Sequence, residues 1–215
     1  MVSLRGPLFE SPSRPHYLVV EDDSVLAATL CRFLQSAGGT ATAASRVSQA
    51  LEIFGGGALF AGLVLDVGLP DGSGLELLAS LRARGVRTPA LVLTGHRDEE
   101  TIAGAQLQGA QFLPKPPREE NLRAFVATTL DLHRVARGRL ELAVRDWSER
   151  HALTKREGEV LFLAATGDAR GELAAKLGVQ ETTMKTTVRR LLRKSGQFTL
   201  GDLTAKIHRA LFVDE

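Results

Sequence analysis

A chain of 215 residues, 44% of them hydrophobic, exceeds one modal domain and has apolar content for one large or two small cores, with two the expectation. One cysteine, Cys31, excludes an intramolecular disulfide; no signal peptide opens the chain and no apolar run approaches the roughly 18 to 20 residues of a spanning helix, so it reads as soluble and cytoplasmic with no membrane partner. The net charge of +2 hides an asymmetry: residues 16–131 hold nine Lys/Arg against thirteen Asp/Glu, a balance of −4, and residues 132–215 hold sixteen against eleven, a balance of +5, which points the second half toward a polyanion.

In chain order, residues 1–15 carry Pro7, Pro12 and Pro15 among Ser, Gly and Arg, a composition expected to form a loose tail. Short strands are predicted at Tyr17–Val20, Ala41–Ala43, Leu63–Leu65, Ala90–Leu93 and Phe112–Leu113. The central ones are continuously apolar, as expected when both faces of a sheet are covered. About five amphipathic helices fall between and after them. The first is expected to be capped by Ser24, to carry Val25, Leu26, Leu30, Phe33 and Leu34 at helical spacing, and to end at Gly38–Gly39. This alternation predicts an α/β doubly wound parallel sheet of five strands with right-handed crossovers. From Pro117 to about Ser148 only Gly138 interrupts a charged helical pattern, so the last helix of this unit is expected to continue into a helical linker over 133–150. Beyond Leu153 the strand signals vanish. Helices are predicted near 155–166, 170–177, 181–195 and 200–212, an all-α unit of four helices.

In a doubly wound sheet, ligands sit at the carboxyl ends of the strands. Polar groups follow the apolar residues at four such ends: Glu21, Asp22 and Asp23, then Asp66, Thr94 and Lys115. Adjacent parallel strands would bring them around one crevice. Carboxylates so gathered repel one another unless a hard, oxygen-preferring divalent cation, most simply Mg²⁺, neutralises them. One carboxylate could then attack phosphorus to form an acyl phosphate, whose equatorial oxygens need a metal, a cation and a hydrogen-bond donor. Mg²⁺, Lys115 and Thr94 would supply these. Taken singly, the Asp71-Gly72 turn and a strand-terminal Asp that caps a helix are ordinary features.

The four motifs Val19-Val20-Glu21-Asp22-Asp23, Leu65-Asp66-Val67-Gly68-Leu69-Pro70-Asp71-Gly72, Leu93-Thr94-Gly95 and Phe112-Leu113-Pro114-Lys115-Pro116 together resemble the receiver domains of bacterial two-component response regulators, over residues 16–132. The resemblance implies a flavodoxin-like fold, with Asp66 as phosphoacceptor and Glu21, Asp22, Asp66 and the Gly68 carbonyl as Mg²⁺ ligands. It further implies that Thr94 and Lys115 contact the phosphoryl group, that Phe112 is an aromatic switch residue, and that the Lys115–Pro116 bond is cis. For Phe112, plain core packing is nearly as good a reading, and Cys31 reads as core filler.

Residues 181–195 carry two stripes at helical spacing. Met184, Val188, Leu191 and Leu192 form an apolar arc, and Thr182, Lys185, Thr186, Arg189 and Arg193 form its polar neighbour. Five basic residues, Lys185, Arg189, Arg190, Arg193 and Lys194, accompany one acid, Glu181, a pattern suited to phosphates and base edges. Alone, such a helix reads as easily as a solvated face. Leu153 to Leu161, Gly167, Glu172 to Val179 and Thr182 to Lys185, however, resemble the LuxR-type (FixJ-like) helix-turn-helix DNA-binding domain, over 151–213. By that resemblance 170–177 is the scaffold helix, 181–195 the recognition helix, and the helix around Leu203 to Phe212 a dimerisation element. Gly158, Arg170 and Thr187 depart from the usual pattern.

The combined resemblance implies a response regulator with a tail (1–15), a receiver domain (16–132), a linker (133–150) and a DNA-binding domain (151–215). Its expected partners are DNA, a sensor histidine kinase, a second copy in a homodimer when phosphorylated or DNA-bound, and RNA polymerase. It implies no enzymatic turnover. Two other readings are available from the residues: a DNA-binding regulator whose receiver serves as a phosphorylation-independent dimerisation module, and an aspartate-nucleophile phosphohydrolase. Against the latter, Gly68 stands where such enzymes place a second Asp as acid/base.

Overall fold

The computed structural model describes residues 14–55, 60–95, 99–166 and 170–210. The chain divides into two compact units, the division falling between His133 and Arg134. In the first, β1 (His16–Val20), β2 (Thr40–Ala44), β3 (Gly62–Asp66), β6 (Ala90–Thr94) and β7 (Gln111–Pro114) form one sheet in the order β2-β1-β3-β6-β7. Every neighbouring pair is parallel. The five predicted strands are all present, each a residue or two longer than its apolar run. A two-stranded antiparallel hairpin, β4 (Gly68–Leu69) and β5 (Gly72–Ser73), was not anticipated; its turn is Pro70-Asp71, and Gly72, expected in a turn with Asp71, opens β5.

Helices cover both faces, and strand alternation sorts the apolar residues between them. Leu18, Val20, Leu63, Leu65 and Val92 pack with Ala50 of α2 (Val47–Gly55), with Leu77, Leu78 and Leu81 of α3 (Gly74–Ala83), and with Ala105 of α4 (Glu99–Leu107). Their alternates Tyr17, Val19, Val64, Leu91 and Leu93 pack with Leu30 and Leu34 of α1 (Ser24–Ser36) and with Leu122, Phe125 and Val126 of α5 (Glu119–Arg150). The Tyr17 hydroxyl and Thr129 Oγ1 lie 2.8 Å apart, tying β1 to α5. The expected cap of α1 is corrected from Ser24 to Asp23: Asp23 Oδ1 accepts from the Val25 and Leu26 amides at 2.8 and 3.1 Å. Val25, placed on the apolar stripe by spacing, is exposed, and Ala27 joins Leu30 and Leu34 in the core instead.

Helix α5 runs 32 residues without a break. The stretch expected as a linker is thus helical, but it is more than a connector, because its Leu140 and Val144 are buried in the second unit's core. That unit adds α6 (Lys155–Ala165), α7 (Arg170–Lys176), α8 (Glu181–Ser195) and α9 (Leu200–Ala210). Val160, Leu161, Leu173, Met184, Val188, Leu191, Leu203 and Ile207 fill its centre. Each such buried side chain contributes about 2 kcal/mol. Residues 1–13 of the N-terminal tail, Gly167 and Phe212 lie outside the described residues. No described helix is long and apolar enough to cross a membrane.

Candidate functional site

Strand register assembles the first site. Val20 pairs with Leu65 and Leu65 with Val92, so Glu21 and Asp66, each the next residue, stand level at neighbouring strand tips. Asp66 pairs with Leu93 and Thr94 with Pro114, which sets Thr94 and Lys115 at the same edge, and the Lys115 amide donates to the Thr94 carbonyl at 2.7 Å. The Lys115–Pro116 peptide is cis.

Lys115 Nζ lies 2.8 Å from Asp66 Oδ2 and 2.7 Å from Glu21 Oε2, and donates to Glu21 Oε1 at 2.8 Å. Asp66 is 7% and Glu21 2% exposed. Glu21 Oε2 is buried and makes no hydrogen bond among the described residues, its one close polar neighbour being the Lys115 ammonium with which it forms an ion pair. Burial raises the Glu21 pKa, and the Lys115 hydrogen bond only partly offsets this, with the Asp66 charge adding to the rise. At Lys115 burial acts downward, but hydrogen bonds to Asp66 and Glu21 outweigh it and hold the ammonium charged. Glu21, Asp22 and Asp66 each present a carboxylate oxygen, all within 4.8 Å of one another. One ammonium among three carboxylates leaves the cluster short of positive charge. This all-oxygen, acidic donor set fits a hard divalent cation.

The other residues expected here fall around this cluster. Thr94 is buried at the β6 tip. Gly68 is exposed on β4, two residues past Asp66. Phe112 is half-buried on β7 and packs against the core face shared with α2, α3 and α4. Two features escaped the sequence reading. Gly74 is required sterically, since a Cβ there would lie 1.9 Å from the Asp66 carbonyl oxygen. Asp71 accepts from the Val47 and Ser48 amides at the start of α2, a long-range contact with no local signature.

In the helical unit, Met184, Val188 and Leu191 turn α8 inward, whereas Thr182, Lys185, Thr186, Arg189 and Arg193 are all exposed along one stripe. The Thr186 hydroxyl donates to the Thr182 carbonyl at 3.0 Å. Lys194, counted from sequence among the basic residues of this helix, has a different place. Its Nζ donates to Glu157 Oε2 at 2.7 Å and to the Ala152 carbonyl at 2.9 Å. Glu157 in turn belongs to a capping box with Thr154 at the start of α6. The Thr154-x-x-Glu157 spacing is the available sequence signal for that box; nothing local marks the lysine as its partner. These contacts lower the Glu157 pKa: burial, the largest influence, acts upward, and the Lys194 and Thr154 hydrogen bonds exceed it.

Comparison with known proteins agrees with this division. Residues 17–127 match the family model of the response regulator receiver domain, and residues 151–196 match that of bacterial regulatory proteins, luxR family. Nodulation protein W of Bradyrhizobium diazoefficiens is 30% identical over 93% of this chain and 88% of its own length. Transcriptional regulatory protein FixJ of Azorhizobium caulinodans is 32% identical over 86% of this chain and 88% of its own. Among solved structures, full-length FixJ from B. japonicum aligns with a TM-score of 0.52 at 25% identity, over 94% of this chain and 100% of that one. The response regulator StyR aligns with a TM-score of 0.52 at 30% identity, over 91% and 99%.

Proposed function

We propose, from the premise that this chain belongs to the two-component response regulators that join a receiver domain to a LuxR-family DNA-binding domain, that Asp66 is the residue through which it is switched. The chain regulates transcription by binding DNA, under phosphoryl control of its receiver. The observation that carries the assignment of Asp66 is its buried carboxylate at the β3 tip, 2.8 Å from Lys115 Nζ and grouped with Glu21 and Asp22. A carboxylate oxygen of Asp66 attacks the phosphorus of a kinase phosphohistidine, the P–N bond breaks, and the released imidazole takes up a proton. Lys115 and Thr94 then meet the added oxygens, Lys115 by charge and Thr94 through its hydroxyl. Glu21, Asp22, Asp66 and the Gly68 carbonyl would hold Mg²⁺, which neutralises negative charge on the transferring group when bound. Phe112 follows the new position of Thr94 as the switch residue.

A phosphoryl group shifts the receiver only through different affinity for two states. The favoured state forms a homodimer, which brings two DNA-binding domains to one site. Thr182, Lys185, Thr186, Arg189 and Arg193 then face the major groove and phosphates, and RNA polymerase is contacted from the assembled complex. The domains on this reading are 16–132 and 151–215, with a tail at 1–15 and a connecting helix at 133–150. The protein works in the cytoplasm, as a stoichiometric switch and not as a turnover catalyst. In the test, full-length protein and its Asp66→Ala variant are incubated with Mg²⁺ and a radiolabelled small phosphodonor. The wild type is expected to label and to gain affinity for promoter DNA, and the variant to do neither. Equal labelling of the two removes Asp66 from this role.

A further inference from the structure

The hairpin that follows Asp66 is fastened to a helix distant in sequence. Asp71, at its tip, accepts the Val47 amide on Oδ1 at 2.7 Å and the Ser48 amide on Oδ2 at 3.0 Å. These are first-turn amides of α2, which no carbonyl of the helix itself can satisfy, and a carboxylate there also meets the positive end of the helix. The Asp71 pKa is lowered, the Ser48 amide being the largest cause.

Each part of the hairpin has its own attachment. Gly68 and Leu69 pair with Ser73 and Gly72. Ser73 caps α3 by accepting the Leu75 amide at 3.2 Å, and the Gly74 amide donates to the Val67 carbonyl at 3.1 Å. The tip, Pro70 and Asp71, stands apart from these bonds and is held through the Asp71 carboxylate on α2. We propose that Asp71 is a positioning residue for the metal site: by fixing the hairpin to the start of α2 it holds the Gly68 carbonyl where a cation bound by Glu21, Asp22 and Asp66 can use it. This rests on the reading of those four residues as Mg²⁺ ligands. The coupling is reciprocal, so the cation in turn strengthens the bond between Asp71 and α2.

The test uses the full-length protein and two variants. Asp71→Asn removes the charge and one acceptor. Val47→Pro removes one donor at a first helical position, where proline's missing N–H is tolerated. Mg²⁺ affinity is measured by calorimetric titration, and exchange of the Val47 and Ser48 amides is followed with and without Mg²⁺. Half-saturation by Mg²⁺ is expected to rise about three- to tenfold in each variant that keeps a wild-type melting curve, less than the roughly 10- to 100-fold typical of outer-shell partners, because Asp71 is exposed. In the wild type, Mg²⁺ should slow exchange of both amides further; in Asp71→Asn, which keeps a single acceptor oxygen, at least one of the two should lose its protection. An unchanged Mg²⁺ midpoint in a folded variant, or wild-type amides indifferent to Mg²⁺, overturns the proposal, and the amide measurement needs no variant to fold. A wild type that binds no Mg²⁺ is a separate result and overturns the ligand assignment beneath it.

Discussion

Gly74, packed against the β3 tip, shows how little freedom the site has. Gly74 is fixed by contact with backbone: a methyl group there would stand 1.9 Å from the Asp66 carbonyl oxygen, and backbone cannot step aside as a flexible side chain can. Gly74→Ala is therefore expected to destabilise the sheet-containing unit by about 3 kcal/mol, as a drop in the urea midpoint of its unfolding. Glu157 makes a second prediction at this scale, of pH dependence. Its folded pKa lies below the ordinary carboxylate value, so its ionised form stabilises the fold above about pH 4.3, and that contribution disappears as pH falls through the lower folded value. Thermal melts across the acid range should show a shallower stability loss for Glu157→Gln than for the wild type.

The basic residues of helix α8 differ in their surroundings. Arg189 is exposed, whereas Lys194 holds the end of the helix against Glu157 and the Ala152 carbonyl. Removing Lys194 leaves a buried carboxylate without its cation, so Lys194→Met is expected to cost about 2 kcal/mol of stability. The same change should leave the slope of log affinity against log salt on mixed-sequence duplex DNA unaltered. Arg189→Ala should do the reverse, lowering that slope by about 1 while the melting temperature stays near the wild-type value. A reduced slope for Lys194→Met would return that residue to the DNA-facing set.

Across the whole chain, the packing of the second unit begins well before its family match. The match to the luxR family starts at residue 151, yet Leu140 and Val144 of α5 are 6% and 0% exposed in the core of the helical unit. A fragment 134–215 should melt above a fragment 151–215, by the equivalent of about 4 kcal/mol for two buried aliphatic side chains; equal melting would show that this end of α5 adds nothing to the core. The five strands, the helix periods and the four motifs that carry Glu21, Asp66, Thr94 and Lys115 were legible in the sequence. Alternation of apolar runs with helical patterns leaves few topologies, and those motifs each follow a strand directly. The two stripes of α8 were legible for the same reason, since helical period alone sorts Met184, Val188 and Leu191 from Lys185 and Arg189. Tertiary structure alone decided that Asp71 caps α2 from 24 positions away, that Lys194 serves Glu157, that Gly74 must be glycine, and that α5 belongs to both units. Periodicity and propensity are properties of neighbours along the chain. Which donor meets which carboxylate, and whether a Cβ has room, depends on atoms brought together only when the chain is folded.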